Sequence, residues 1–208
     1  MDLSLFFKGF ILGFSIAAPV GPIGVLCIRK TLQFGRLSGL FSGLGAAVAD
    51  AVYAMIATFG LTLISNFLLA GQFWLQLIGG AFLIYLGIKT FIAKAKPNET
   101  SSEVSHKTLS KDFISTFFLT IINPVTILTY LAIFAGLGVS HNNGYYAHSA
   151  MIWLVFGVFI GSALWWLILS EGVTLFRKKV SQKVMTWVNR FAGLIIFGFG
   201  VVAWLSLA

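Results

Sequence analysis

Acidic side chains are scarce in this chain. Six Asp and Glu stand against fourteen Lys and Arg in 208 residues, and charged residues of all kinds make up only 10%. A soluble domain carries about 25% charged residues, so water is not the solvent for most of this surface. A single cysteine, Cys27, excludes an internal disulfide, a paired-thiol redox centre and a cysteine metal cluster. The three histidines, His106, His141 and His148, lie in or near polar connections and do not form a metal cluster. No nucleophile-and-base arrangement or phosphate-cradling loop is visible. The reading is therefore not an enzyme, with no cofactor and no metal.

What the chain has in quantity is apolar surface. Hydrophobic residues make up 58%, and the mean hydropathy is +0.95. Apolar runs over roughly 3–28, 37–62, 65–88, 113–138, 146–170 and 184–207 are each of helix length. A spanning helix needs about 20 mostly apolar residues, and the short alternating segments of a membrane barrel are absent. The expected fold class is an all-α integral membrane protein of six transmembrane helices. The first run carries Lys8 and Ala17-Ala18, but it continues to Ile28 and ends in a basic connection, so it reads as a span rather than a leader.

The net charge of +8 sits in the connections, which argues for topology signals and against nucleic-acid binding. The first connection carries Arg29, Lys30 and Arg36; the third, Lys89, Lys94, Lys96, Lys107 and Lys111; the fifth, Arg177, Lys178, Lys179 and Lys183. The second (Asn66 to Gly71) and fourth (Ser140 to Gly144) carry no Lys or Arg. Basic connections belong in the cytoplasm, so both termini are expected outside a bacterial inner membrane. Glu171, at the cytoplasmic end of the fifth span, is expected to pair with Arg177 or neighbouring lysines.

The polar stretch 95–112 reads as a cytoplasmic linker dividing the chain into two three-helix repeats, 1–94 and 113–208. Three spans per half force opposite orientations, the plan of a 3+3 inverted repeat. Both halves open on a proline-broken helix, helices 1 and 4: Ala18-Pro19-Val20-Gly21-Pro22 in the first and Asn123-Pro124 in the second. The second and fifth helices align without gaps, Gly45 on Gly157, Asp50 on Ser162, Ala51 on Ala163 and Tyr53 on Trp165.

Of the six acidic residues, Asp50 alone lies well inside an apolar run, near mid-membrane. An Asp there costs on the order of 3 kcal/mol. Its helical neighbours Gly43, Ala46, Ala47, Ala54 and Ala57 are small, with Tyr53 beside them. Such a stripe marks close helix packing, so Asp50 is expected to face the interior. It either bonds a hydroxyl or a freed amide structurally, or holds a ligand. Gly21-Pro22 and Asn123-Pro124 read as starts of half-helices, whose N-termini attract carboxylates; simple kinks are the alternative. Thr116, Thr120, Asn123 and Tyr130 form one stripe in the fourth helix, with Thr126 beside it. A small zwitterion such as an amino acid would satisfy both half-helix dipoles and an acidic group, and Asp50 could equally carry a coupling proton. The candidate substrate site is Pro19, Gly21, Pro22, Asp50, Thr120, Asn123, Pro124 and Ser162.

These residues resemble the LysE/RhtB family of bacterial amino-acid exporters over essentially the whole chain. The resemblance rests on Ala18-Pro19-Val20-Gly21-Pro22 with Arg29 following, Gly43-Leu44-Gly45 leading into Asp50, Asn123-Pro124, and Gly161-Ser162-Ala163-Leu164-Trp165-Trp166. It implies secondary active export of an amino acid or derivative, coupled to protons, with Pro19, Gly21, Pro22, Asp50, Asn123 and Pro124 lining the path. Family members often follow Asn-Pro with Lys, where this chain has Val125. The partners implied are a zwitterionic substrate, protons and the lipid bilayer; a homo-oligomer is compatible with the reading. The rivals are a cation or heavy-metal exporter, which would need more intramembrane ligands, and a non-transporting membrane subunit.

Overall fold

The computed structural model describes residues 3–19, 21–58, 72–93, 106–123, 126, 129–130, 145–177 and 180–205. Among these the regular structure is all helical: α1 (Leu3–Ala17), α2 (Pro22–Phe34), α3 (Arg36–Thr58), α4 (Gln72–Phe91), α5 (His106–Ile121), α6 (Tyr145–Arg177) and α7 (Gln182–Leu205). Among the described residues, three helices are long and apolar enough to cross a membrane: Arg36–Ala57 of α3, Met151–Arg177 of α6 and Gln182–Leu205 of α7. α1 and α2 pass that test as one span bent by 78°, and Leu77–Phe91 is a shorter apolar helix. The uncharged second and fourth connections, and residues 95–105 of the polar stretch, lie outside the described residues.

The first apolar run breaks where its prolines fall. α1 closes with the Ala18 amide donating to the Phe14 carbonyl at 3.0 Å. α2 opens with Gly21 as N-cap and Pro22 in the first turn, where the missing amide of proline leaves no helical bond unmade. α2 then runs on through Arg29 and Lys30 to Phe34. These two cations, expected in a connection, are helical instead, because the turn to α3 waits for Gly35. That residue has φ of +101°, which a side chain would strain, and its amide caps α2 on the Thr31 carbonyl at 3.0 Å.

α5 also starts earlier than the apolar run suggests, at His106. Its first turns are amphipathic: Leu109 and Asp112 are buried, Ser110 and Lys111 exposed. Hydropathy averages over that alternation and reads a linker. α6 is 33 residues long, about 50 Å at 1.5 Å per residue, and so outreaches a hydrocarbon core of about 30 Å.

α1 packs along α6, α4 along α7, and α3 lies between α5 and α6. Glycine sets the approach. A Cβ on Gly45 of α3 would run into the Phe113 carbonyl of α5 and lie 3.1 Å from the Phe117 nitrogen. A Cβ on Gly157 of α6 would run into the Phe6 carbonyl of α1 and lie 2.8 Å from the Phe10 nitrogen. Large apolar side chains point outward, among them Trp74, Ile78, Phe118, Phe156, Trp187 and Phe191. Water-soluble proteins seldom expose so much apolar surface; lipid accepts it without cost.

Replacing Gly45 or Gly157 by Ala therefore lowers stability by about 1–3 kcal/mol, the scale of an overpacked contact. Gly198, with open space around its Cβ position, gains stability as Ala by up to roughly 1 kcal/mol from helix propensity. Thermal melts of detergent-purified variants, read by size exclusion, check both signs.

Candidate functional site

Two apolar clusters fill the interior and meet at Asp50. Ala46 and Ala47, one turn before it, pack with Ala17, Ile23, Leu26, Leu119 and Trp166. Tyr53 and Ala54, one turn after it, pack with Tyr130, Leu154 and Val158. Asp50 is 4% exposed and Ser162, facing it from α6, is 0% exposed. The Ser162 hydroxyl donates to Asp50 Oδ2 at 2.6 Å, and the Trp166 indole donates to Ser162 Oγ at 3.2 Å. The Tyr130 ring, also buried, stacks on Tyr53 with centroids 5.7 Å apart. Tyr53 donates to the Ile121 carbonyl, near the end of α5. Among the described residues, no Lys or Arg forms an ion pair with Asp50. The donor it receives from α6 is a neutral hydroxyl.

The expected site residues do not all converge. Asp50 and Ser162 are bonded directly. Pro22 is buried at the start of α2, Gly21 is half-buried and Pro19 is exposed in the break. Thr120 is buried, but its hydroxyl donates back to the Thr116 carbonyl at 2.9 Å, so it satisfies its own helix. Asn123 is half-buried just beyond α5, with its amide on the Thr120 carbonyl at 3.1 Å. Pro124 lies outside the described residues. Cys27 is fully packed, its thiol donating to the Gly39 carbonyl at 3.3 Å. Among the described residues no cluster of His, Cys, Asp or Glu could hold a metal ion.

Sequence reasoning missed a second buried polar centre. Lys30 of α2 reaches Asp112 of α5, Nζ to Oδ1 2.9 Å, with both side chains about one-tenth exposed. Ser38 of α3 donates to the other Asp112 oxygen at 2.5 Å, and Lys30 donates to Ser115 Oγ at 3.1 Å. The available signal was the four-residue spacing of Asp112, Thr116 and Thr120, which puts Asp112 on the buried stripe of α5. Arg29, also expected in a connection, donates to Asn189 Oδ1 of α7 at 2.9 Å. Glu171 pairs with Arg36, whereas the neighbouring Lys178 and Lys179 lie outside the described residues. The Arg177 Nε donates instead to the Leu32 carbonyl at 3.2 Å, because the α2–α3 turn comes up against the end of α6.

The family model for LysE type translocator matches residues 14–206. A Bacillus subtilis (strain 168) protein, "Putative amino acid efflux protein YcgF", is 30% identical over 201 residues, covering 95% of this chain and 94% of its own. "Uncharacterized membrane protein slr1627" of Synechocystis sp. (strain ATCC 27184 / PCC 6803 / Kazusa) is 29% identical, covering 92% and 91%. "Threonine efflux protein" of Salmonella typhi is 24% identical over 208 residues, covering 96% and 97%. No solved structure matches the chain.

The Asp50–Ser162 bond is measurable without a transport assay. In a double-mutant cycle of Asp50→Asn and Ser162→Ala, directly bonded side chains couple by about 0.5–3 kcal/mol. Thermal unfolding of the four proteins in detergent reads that coupling; additive losses would mean that the two groups do not interact.

Proposed function

The chain belongs to the LysE type translocator family, a family of transporters rather than enzymes, and on that premise we propose that it exports an amino acid or amino-acid derivative across the bacterial cytoplasmic membrane in exchange for protons. The observation that carries this reading is Asp50: a carboxyl group sealed between α3 and α6, bonded by the Ser162 hydroxyl and paired with no cation among the described residues. A carboxylate so placed has one unfilled requirement, positive charge. The ammonium of an amino acid meets it, and so does a proton. Alternation of the two at one carboxylate couples export of cargo to entry of a proton. The cargo class draws on the names of the relatives, for amino acid and threonine efflux.

The path is proposed to run through a six-span 3+3 inverted repeat with broken helices 1 and 4, both termini outside, and the stretch before α5 joining the repeats. Internal spacing supports that plan. Gly45 and Gly157 lie 112 positions apart, as do Asp50 and Ser162. The backbones they meet, Phe113 with Phe117 and Phe6 with Phe10, lie 107 apart. The contact of α3 with α5 thus has the same residue pattern as that of α6 with α1. Under this reading the Asp50–Ser162 bond joins two equivalent positions, at the place where the repeats meet. Pro19, Gly21, Pro22, Thr120, Asn123 and Pro124 belong to the proposed path as the residues of its two breaks, with the start of α2 offering its amides to the cargo carboxylate.

Proteoliposomes with an imposed pH gradient test the proposal through uptake of labelled amino acids, threonine first. Asp50→Asn lowers uptake by roughly tenfold or more, the scale of a lost hydrogen bond to a charged group. Unchanged uptake with an unchanged pH dependence would contradict the role of Asp50. A flat response to every amino acid would contradict the cargo class.

A further inference from the structure

The Lys30–Asp112 pair has no part in the site around Asp50, yet it lies on the way there. α3 and α5 run parallel: Ser38 bonds Asp112 near their starts, and Tyr53 bonds the Ile121 carbonyl near their ends. Along α3, Ser38, Ser42, Ala46 and Asp50 recur every four residues; along α5, Asp112, Thr116 and Thr120 do the same. From Ser38 to Asp50 is about 18 Å of helix. Between the ion pair and Asp50 lie Ser42 and Thr116, both 0% exposed, whose hydroxyls have no hydrogen-bond partner among the described residues. Buried hydroxyls without a partner are unfavourable. Two of them, on helices packed against each other, mark an interior built to meet a polar visitor.

The ion pair closes the end of this stripe that lies beside the basic α2–α3 turn. α2 and α5 touch little apart from it. α2 is fastened elsewhere: its end is held to α6 by Arg177 on the Leu32 carbonyl, and the start of α3 by Arg36 on Glu171. Lys30 therefore reaches α5 from a fixed base, on a flexible stem that can swing away. A buried ion pair seldom stabilises a fold better than apolar residues of similar volume, so stability alone is a weak reason for its presence. Separating the pair leaves two buried charges bare, which is strongly unfavourable. A zwitterion removes that obstacle, since its carboxylate takes Lys30 as its ammonium takes Asp112. A ligand with one charge satisfies only one side.

We propose that Lys30 and Asp112, with Ser38 orienting the carboxylate, form a cytoplasmic entry site for a zwitterion: a latch shut by their own ion pair and opened by a ligand that replaces both halves of it. The latch controls access to Ser42, Thr116 and then Asp50. This deepens the export reading and rests on it for the direction of travel and the cargo.

The test uses the full chain in inside-out membrane vesicles, with Ser42→Cys as the sole thiol in a Cys27→Ser background. Labelling by methanethiosulfonate ethylammonium from the cytoplasmic face reads whether the latch is open. With the pair intact, labelling is slow. Lys30→Gln with Asp112→Asn raises its rate about tenfold or more, as expected when a minor open state becomes the major one. The exchanged pair, Lys30→Asp with Asp112→Lys, returns it to slow. If the neutral pair fails to fold, Ser38→Ala keeps both charges and gives an intermediate rate. A mixture of proteinogenic amino acids without cysteine, whose thiol would consume the reagent, speeds labelling with the pair intact and has no effect once it is neutralised. Labelling indifferent to the charges at 30 and 112 overturns the latch. Labelling indifferent to the mixture, in protein that takes up amino acids in proteoliposomes, overturns the entry site and leaves the export reading standing. Opening on neutralisation with no amino-acid uptake overturns the export reading and the zwitterion with it.

Discussion

A carboxyl group buried in an apolar bundle is the constraint around which the rest of this molecule is arranged. In low dielectric a bare charge is costly, and the cost falls as hydroxyls and cations approach. At Asp50 the protein supplies the Ser162 hydroxyl and, among the described residues, no cation. At Asp112 it supplies both, Ser38 and Lys30. The two carboxylates share a stripe but differ in what they lack. Asp112 is complete within the chain, and in the proposed cycle a ligand must displace its partner. Asp50 lacks a positive charge, and in that cycle cargo and proton take turns supplying it.

Close helix contact makes these centres possible. Gly45 lets α3 lie against the backbone of α5, and Gly157 lets α6 lie against α1. The Gly45 contact sets the spacing at which Tyr53 reaches the Ile121 carbonyl, and Gly43, whose Cβ position is filled by the Trp166 side chain of α6, sets that at which Ser162 reaches Asp50. The break between α1 and α2 serves a different purpose. It turns the chain so that Lys30, thirteen residues past Ala17, comes beside α5 rather than continuing the line of α1. Arg29, held by Asn189, ties the same helix to α7.

Features with a short-range signature were legible in the sequence. The helical class follows from run length, the inward face of Asp50 from its small neighbours, and the start of α2 from Gly21-Pro22. Features that depend on distant partners were not. Lys30 looks like a topology charge until Asp112 is placed beside it, and Asp112 looks like a linker residue until α5 is seen to begin at His106. Glu171 follows the same pattern: Arg177 and its neighbouring lysines are nearer along the chain, but the α2–α3 turn brings up Arg36. Thr120 carried the right spacing, but a threonine in a helix can bond its own preceding turn, and here it does.

Proposed export depends on Asp50 exchanging a proton for the charge of the cargo. Infrared difference spectroscopy of the reconstituted protein follows that exchange directly. Adding a transported amino acid at constant pH should remove the carbonyl stretch of a protonated carboxylic acid, and Asp50→Asn should abolish that difference band. A band that persists in Asp50→Asn, or cargo binding with no change in carboxylic acid absorption, would contradict it.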